Sequence, residues 1–475
     1  MEPGSSKTTK KSSRSARFSW IAWSVTVSVL VVAAFGTLPL AMAQGWLVSG
    51  GEPTISSAEL EKLQPGAGRA GLAGYPNFDE ALPSSPEAIR AALAQLPKSD
   101  GVVGAAAGDL SGDAITYSSD ADRPLVPAST MKVMTSLGAL SKLGADHRFS
   151  TDVTLAGDVL TLVGHGDPLL AATSDSHPYA KYLSMPSLQQ LAQQSAAALK
   201  QKSISSVQLR FDDSYFAAPS WHPDWYEDYI QFVSPVTALA VDLGKPKEHA
   251  DQADPSTAAA LIFADQLRAS GIEVTGDVTR QAAAEGAENL TSVASVPMFN
   301  VLERLNVHSD NYIAEVLFRH IALASGQPAT FDGGAAAQTA NLQELGLWSE
   351  GQAIRDGSGL SEHNRLTAEN LVKAMQLAQR DDRFRVLLET LPAAASTGTM
   401  AVRFHDEQSS AARGILRAKT GRLSDVSSMV GYAPTPDGSL IAFAAIGNEM
   451  PTDKSPTPWF DHFASALSAC KCAQK

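Results

Sequence analysis

Three short motifs could together perform nucleophilic chemistry, and they occur in one order along the chain. They are Ser129-Thr130-Met131-Lys132, Ser309-Asp310-Asn311 and Lys419-Thr420-Gly421. An S-x-x-K motif alone occurs about once by chance in a chain of ordinary composition, whereas the two tripeptides are much rarer. The ordered trio therefore predicts an enzyme that acylates an active-site serine.

Each motif contains a residue type that serine acylation needs. A serine hydroxyl such as that of Ser129 is a poor nucleophile until a neighbouring base takes its proton. Lys132 can be that base only when neutral, which requires burial or a second cation nearby, and Lys419 is the candidate cation. Ser309 is expected to pass the proton to the leaving amine, and Asn311 to hydrogen-bond the amide on the acyl side of the substrate. These five residues are the predicted catalytic set.

The segment around the third motif is predicted to bind the other side of the substrate. The backbone N–H groups of Ser129 and Arg422 would stabilise the developing oxyanion. Lys419 and Thr420 would face a terminal carboxylate, and Gly421 would leave room for substrate to lie against the strand. The Arg422 guanidinium could bind that carboxylate through two hydrogen bonds; the alternative is that it points to solvent.

The elements around the motifs are predicted to position these groups. Ser129 opens a helix, and Lys132 lies one turn further on the same face. The second motif lies at a corner between helical patterns at 298–305 and 312–323, and the third lies in a strand. Strand patterns near both chain ends predict an α+β fold in which one antiparallel sheet, flanked by helices, is shared by the two ends.

Ser129 and Ser309 are 180 positions apart, which is too far for a simple helical connection. We therefore expect an inserted smaller domain that bounds the substrate cleft without supplying catalytic atoms. The predicted organisation is a signal peptide or membrane anchor at 1–43, a flexible linker at 44–84, the first part of the catalytic domain at 85–151, the inserted domain at 152–254 and the second part of the catalytic domain at 255–475.

The N-terminal segment predicts export. Five basic residues precede the apolar stretch Ile21 to Leu40, which ends in the small-x-small pattern Ala41-Met42-Ala43. This is typical of a secretory signal peptide, although the apolar stretch is long enough to remain as an anchor. An extracytoplasmic location in the periplasm or cell envelope follows, with cleavage and membrane retention both open.

Further segments extend the pattern beyond the trio. Gly164-His165-Gly166-Asp167-Pro168, Asp356-Gly357-Ser358-Gly359-Leu360-Ser361 and Thr397-Gly398-Thr399 match motifs of one family. From about residue 86 to 448 the sequence resembles the D-alanyl-D-alanine carboxypeptidase/endopeptidase family of low-molecular-mass penicillin-binding proteins. The family carries a large insertion after the S-x-x-K helix. Two departures are an insertion shorter than is usual and Arg422 at a position that is commonly Thr.

This resemblance implies a fold and an activity. The fold would be a serine β-lactamase/DD-peptidase-like domain with an inserted domain. The substrates would be peptidoglycan stem peptides, β-lactam antibiotics would acylate the enzyme, and no cofactor is implied. The alternatives are a serine β-lactamase, for which no E-x-x-L-N motif occurs between Ser309 and Lys419, and a catalytically idle penicillin-binding sensor or wall-binding protein. The balance of carboxypeptidase and endopeptidase activity and the preferred diamino acid stay open.

Other residues invite different interpretations. His308 adjoins Ser309, but no G-x-S-x-G motif presents a serine to it, and we expect it to be structural. Ser358 and Ser361 lie near His363 in sequence, and we expect a turn that packs beside the site rather than a second nucleophile. The aromatic residues at 221–229 are expected to pack in the core or at the rim, a sugar platform being the alternative.

Composition excludes several classes of partner. The formal net charge of −13 argues against nucleic acid. No H-E-x-x-H or paired-cysteine motif occurs, so no metal site is expected. A bridge between Cys470 and Cys472 would close almost no loop, and the fold is not expected to depend on it.

Overall fold

The computed structural model describes residues 76–180, 183–249 and 253–474. The predicted signal or anchor segment and most of the predicted linker lie outside the described residues. Within the described ranges, no helix has the length and apolar character needed to span a membrane.

Helices and strands alternate in long blocks along the chain. The helices are α1 Pro86–Leu93, α2 Met131–Lys142, α3 Leu188–Gln201, α4 Pro255–Ala269, α5 Met298–His308, α6 Asn311–Ala324, α7 Phe331–Glu344, α8 Ala368–Arg380, α9 Arg385–Glu389 and α10 Thr457–Ser468. The strands are β1 Val102–Asp109, β2 Tyr117–Ser119, β3 Ser150–Ala156, β4 Val159–Gly164, β5 Ser206–Asp212, β6 Glu273–Arg280, β7 Glu288–Ala294, β8 Arg417–Arg422, β9 Ser427–Pro434 and β10 Leu440–Asn448.

The first sheet joins the two chain ends, as predicted. Its strand order is β2-β1-β10-β9-β8, and all of its pairs are antiparallel. Side chains alternate between the faces of a strand. Ala106, Ala444 and their neighbours on one face pack in the core that contains α8, whereas Ala105 and Phe443 pack on the other face against α1 and α10. The predicted α+β class, with a sheet flanked by helices, is confirmed.

The second sheet has the order β6-β5-β4-β3-β7 and runs from Ser150 to Ala294. Strands β4, β5 and β6 pair in parallel, and a parallel pair requires a crossover connection. Helix α3 makes the crossover from β4 to β5, and α4 lies on the crossover from β5 to β6. Both helices pack on this sheet in one apolar core.

The boundary predicted at residue 254 therefore differs from the structure. Helix α4 and strands β6 and β7 follow that position, yet they complete the second sheet. For example, Val274 of β6 lies opposite Val207 of β5. The sequence pattern showed a new helix at residue 255, but it did not show that this helix was the crossover of a parallel pair.

The C-terminus is anchored beside the start of α1. Cys470 and Cys472 form a disulfide, and the Cys472 carbonyl accepts a hydrogen bond from the Ser85 N–H at 2.6 Å. The Ser85 hydroxyl accepts from the Ala88 N–H and so caps α1.

Candidate active site

Three elements bring the sequence motifs together. Ser129 lies in a 3-10 turn, Ala128–Thr130, that leads into α2, and Lys132 lies in the first turn of that helix. Ser309 forms the corner between α5 and α6 with a left-handed backbone, φ 59°. The third motif lies on β8, which is the edge strand of the first sheet.

The Lys132 amine lies at the centre of the site. Its Nζ donates to Ser129 Oγ at 2.9 Å, to Asn311 Oδ1 at 2.7 Å and to the Ser358 carbonyl at 2.7 Å. Lys132 is fully buried, and burial lowers its pKa to about 8, although the carboxylates of Glu315 and Asp356 oppose this effect. A neutral amine within hydrogen-bonding distance of a serine hydroxyl can act as its base.

Lys419 is the second buried amine. Its Nζ donates to Ser309 Oγ at 2.8 Å and to the Thr420 carbonyl at 2.6 Å. Burial, and secondarily the charge of Lys132, hold the pKa of Lys419 well below its usual value. Lys419 was expected to keep Lys132 neutral through its charge, but in the structure the main cause for both lysines is burial.

The Asn311 amide has two partners that fix its orientation. Its Oδ1 accepts from Lys132, and its Nδ2 donates to the Phe232 carbonyl at 3.2 Å. Phe232 belongs to the segment between β5 and α4. A backbone carbonyl of the inserted region therefore contacts a predicted catalytic residue, a contact that the motifs did not indicate.

Strand β8 directs its free edge toward Ser129. The Ala418 N–H donates to the Pro392 carbonyl on the side away from β9. Because N–H directions alternate along a strand, the N–H groups of Thr420 and Arg422 point to that same side. A Cβ at Gly421 would lie 2.7 Å from the Ser129 nitrogen and 2.9 Å from the Pro127 carbonyl. Gly421 is therefore required by the Ser129 backbone, and not only by the substrate as predicted.

A cavity of about 390 Å³ opens between these elements. Ser129, Ser309, Thr420, Gly421 and Arg422 line it, together with Thr399, Val402, Arg403, Ser427 and Thr457. Thr399 Oγ1 lies 3.2 Å from Thr420 Oγ1. The Thr397-Gly398-Thr399 segment was noted in the sequence, but Arg403, which also lines this cavity, was not predicted.

The segment from Asp356 to Ser361 is a buried turn beside Lys132. Ser358 and Ser361 are both fully buried, so neither is an accessible second nucleophile, in agreement with the sequence-based interpretation. The Asp356 carboxylate accepts from the N–H groups of Gly359 and Ser361 and closes the turn.

The aromatic residues of the inserted region divide between core and rim. Trp225 is buried, and its Nε1 donates to Asp356 Oδ2 at 2.9 Å. Tyr226 and Phe232 are more than half exposed. His308 stacks near Tyr179, with 4.6 Å between the ring centroids.

A serine hydroxyl that is hydrogen-bonded to a buried lysine, next to a second buried lysine on an edge strand, is an arrangement typical of hydrolases that work through an acyl-enzyme. The comparisons with known proteins agree with this class. The model of the D-Ala-D-Ala carboxypeptidase 3 (S13) family matches residues 86–253 and 245–459. A carboxypeptidase of Mycobacterium tuberculosis is 32% identical over 438 residues, which cover 89% of this chain and 92% of the relative.

Two further matches point the same way. The D-alanyl-D-alanine carboxypeptidase of Actinomadura sp. (strain R39) is 29% identical over 423 residues, 70% of this chain and 75% of its own. Penicillin binding protein 4 of Haemophilus influenzae has the same fold, with a TM-score of 0.64 at 22% identity over 79% of this chain and 97% of its own. The chain belongs to the D-Ala-D-Ala carboxypeptidase 3 (S13) family, and it is a serine-type D-alanyl-D-alanine peptidase.

Proposed function

We propose that Ser129 is the nucleophile of this peptidase, with Lys132 as its base and with Ser309 and Lys419 delivering the proton to the leaving amine. The single observation that carries the proposal is the 2.9 Å hydrogen bond between Lys132 Nζ and Ser129 Oγ, made by an amine that burial brings toward neutrality. Ser309 Oγ accepts from Lys419 and lines the same cavity as Ser129, as a proton relay requires.

The substrates we propose are peptidoglycan stem peptides. The acyl group of the penultimate D-alanine would transfer to Ser129 Oγ, the terminal amine would leave with the proton, and water would release the acyl group. Thr420 and Arg422 would face the carboxylate of the leaving residue, and the N–H groups of Ser129 and Arg422 would bind the oxyanion. Both hydrolysis of a free D-alanine end and cleavage of a cross-link use this chemistry.

We propose that β-lactams acylate the same serine and that the protein acts outside the cytoplasm. A β-lactam presents a strained amide to the nucleophile, and the solved relative from Haemophilus influenzae has also been described in complex with a β-lactam. The basic and apolar N-terminal segment supports export, with association to the membrane if it is retained.

Penicillin incubation followed by intact-mass measurement tests the proposal. We expect one covalent adduct that is released slowly, together with D-alanine production from a D-alanyl-D-alanine peptide. Fast turnover of penicillin would instead identify a serine β-lactamase. A permanent adduct without D-alanine release would identify an idle penicillin-binding protein. No adduct would contradict the assignment of the nucleophile.

A further inference from the structure

A buried carboxylate that belongs to none of the three motifs lies beside the catalytic lysine. Glu315 is fully buried on α6, one turn after Asn311 and on the same face. Burying a carboxylate is costly unless hydrogen bonds compensate it. Its Oε1 accepts from the Ser358 N–H at 2.7 Å, and its Oε2 accepts from the Gly357 N–H at 3.1 Å.

The turn that Glu315 binds is also attached to α2. The Ser358 carbonyl accepts from Lys132 Nζ at 2.7 Å, and the Gly357 carbonyl accepts from Thr135 Oγ1 at 2.6 Å. The backbones of two successive residues, Gly357 and Ser358, thus connect α6 with α2. Asn311 reaches Lys132 directly, whereas Glu315 reaches it through the backbone of Ser358.

We propose that Glu315 is a positioning residue for acylation, because it holds the Ser358 carbonyl where that carbonyl directs the Lys132 amine at Ser129. This inference rests on the proposed function, since Lys132 must be the base for its direction to matter. The physical reason is that a lysine side chain has several rotatable bonds, and one acceptor does not define the place of its amine. Asn311 Oδ1 and the Ser358 carbonyl are two acceptors on separate elements, and together with Ser129 they define it.

Glu315 also contributes charge to the site. Burial, and secondarily Asp356, raise its pKa to about 8, whereas its own charge opposes the lowering of the Lys132 pKa. The charged and titratable groups that share this region are Lys132 on α2, Asp310 and Arg319 on α6, Asp356 in the turn, Lys419 on β8 and Lys245 before α4. Substitution of Glu315 should therefore change both the geometry and the pKa of Lys132.

Acylation by a chromogenic β-lactam, measured from pH 5 to 10 in the full-length protein, tests the inference. Glu315→Gln keeps the size of the side chain but turns an NH₂ group toward one of the two peptide N–H groups. We expect the acylation rate constant on the high-pH plateau to fall about tenfold or more, as for a displaced catalytic group. We also expect the acidic limb, the part of the profile in which the rate rises with pH, to move to lower pH, because Glu315 is partly ionised near its own pKa of about 8 and its charge favours the protonated Lys132 amine. A folded variant with an unmoved limb or an unchanged plateau would overturn the inference.

Two further variants keep the test decisive. Glu315→Asp retains the carboxylate but shortens the side chain. It should therefore lower the acylation rate constant on the high-pH plateau and leave the acidic limb of the pH profile in place. An unchanged plateau in Glu315→Asp would overturn the inference even if Glu315→Gln did not fold. The matched control is Asp212→Asn, because Asp212 at the end of β5 is also buried and its carboxylate also accepts from two backbone N–H groups, those of Ser214 and Ala283, none of which lines the cavity at Ser129. Absence of acylation in the unsubstituted protein would be a failure of the proposed function, whereas normal acylation with unaffected Glu315 variants would be a failure of this inference alone.

Discussion

Burial determines the chemistry of the two active-site lysines. An amine that is removed from water loses the solvation that favours its charged form, and both Lys132 and Lys419 are fully buried. Lys132 compensates with three acceptors and Lys419 with two. A hydroxyl 2.9 Å from such an amine can pass its proton to the amine as it attacks the substrate. An exposed lysine with its ordinary pKa is charged at neutral pH and could not accept that proton.

The first prediction concerns the pH dependence of acylation. Lys132 must be neutral to take the Ser129 proton, and its pKa is lowered to about 8. The acylation rate constant should therefore rise as pH increases through about 8 and become constant above it. Stopped-flow measurement with a chromogenic β-lactam gives this profile. A rate that is constant from pH 5 to 9 would show that Lys132 is not the titrating base.

The second prediction concerns Arg422. Arg422 and Thr420 both line the cavity, and the Arg422 guanidinium could form a charge-assisted pair with the substrate carboxylate. Arg422→Thr should lower kcat/KM about tenfold or more on a peptide with a free C-terminal carboxylate, the size expected for one such bond. The amidated peptide is the control, and its kcat/KM should change little. Equal losses of kcat/KM on both peptides would show that the Arg422 side chain does not bind the carboxylate.

Single residues illustrate what the sequence could and could not reveal. Ser129, Lys132 and Lys419 were predictable because a hydroxyl and two amines in known sequence motifs indicate a nucleophile and its base. The Phe232 and Ser358 contacts were not, because both act through backbone carbonyls, which every residue type carries. Glu315 carried one signal, its position one turn after Asn311.

At the scale of elements, the corner between α5 and α6 is built around one strained residue. Ser309 has φ 59°, a conformation that costs a residue with a Cβ about 1–2 kcal/mol and glycine almost nothing. The corner places the Ser309 hydroxyl against Lys419 while α6 begins with Asn311. The presence of serine instead of glycine at this strained position is explained if the hydroxyl is needed for function.

Two substitutions separate the hydroxyl from the backbone strain. Ser309→Gly and Ser309→Ala both remove the hydroxyl and should both lower kcat strongly. Ser309→Gly should nevertheless be more stable than Ser309→Ala by about 1 kcal/mol, because only glycine adopts this backbone without strain. Urea unfolding monitored by circular dichroism gives the comparison. Equal stabilities would argue against a strained corner, and full activity in either variant would exclude Ser309 from proton transfer.

The positions of helices and strands along the chain could be predicted more reliably than the strands with which they pair. The starts of α1 and α2 were predictable from a cap and from helical spacing. Strand β2 begins only at Tyr117, although the two residues before it, Ile115 and Thr116, are β-branched. Propensity alone could not locate this start, because it is set by the ladder with β1, in which Tyr117 pairs with Ala107.

At the scale of the whole molecule, the second sheet contributes to the catalytic site through a long segment between β5 and α4. Trp225 binds Asp356 in the turn beside Lys132, and the Phe232 carbonyl binds Asn311. The inserted region, which was expected only to bound the cleft, therefore contacts residues of the candidate site through these two hydrogen bonds. The residues described from 76 onward form one compact unit, which agrees with such contacts between the two sheets.

This connection predicts an effect of Trp225 on catalysis. Trp225→Phe keeps most of the buried ring but removes the Nε1 donor to Asp356. Acylation should slow by about threefold to tenfold, the equivalent of the net contribution of one ordinary hydrogen bond, about 0.7–1.4 kcal/mol. Trp221→Phe is the matched control, since its ring lies 5.2 Å from that of Trp225 and no Asp356 contact involves it. If both variants acylate at the unsubstituted rate, the second sheet does not support the site through this bond.

The limit of the inserted region could not be read from the sequence because sheet membership depends on pairing between distant strands. A deletion at 152–254 would remove β3, β4 and β5 but leave β6 and β7 without their partners. Exposed strand edges and the apolar face of α4 would then meet water. A clean removal would have to include residues up to Ala294.

The central claim is that Ser129 is the residue acylated with the help of Lys132. The most direct measurement is peptide mapping by mass spectrometry after incubation with penicillin, made on the unsubstituted protein, on Ser129→Ala and on Ser136→Ala. Ser136 is the matched control because it is buried on α2 two turns from Ser129 and accepts from Asn306 instead. We expect the penicilloyl group on the peptide that contains Ser129, no adduct in folded Ser129→Ala and normal labelling of Ser136→Ala. An adduct retained by Ser129→Ala, or mapped to another serine in the unsubstituted protein, would contradict the account.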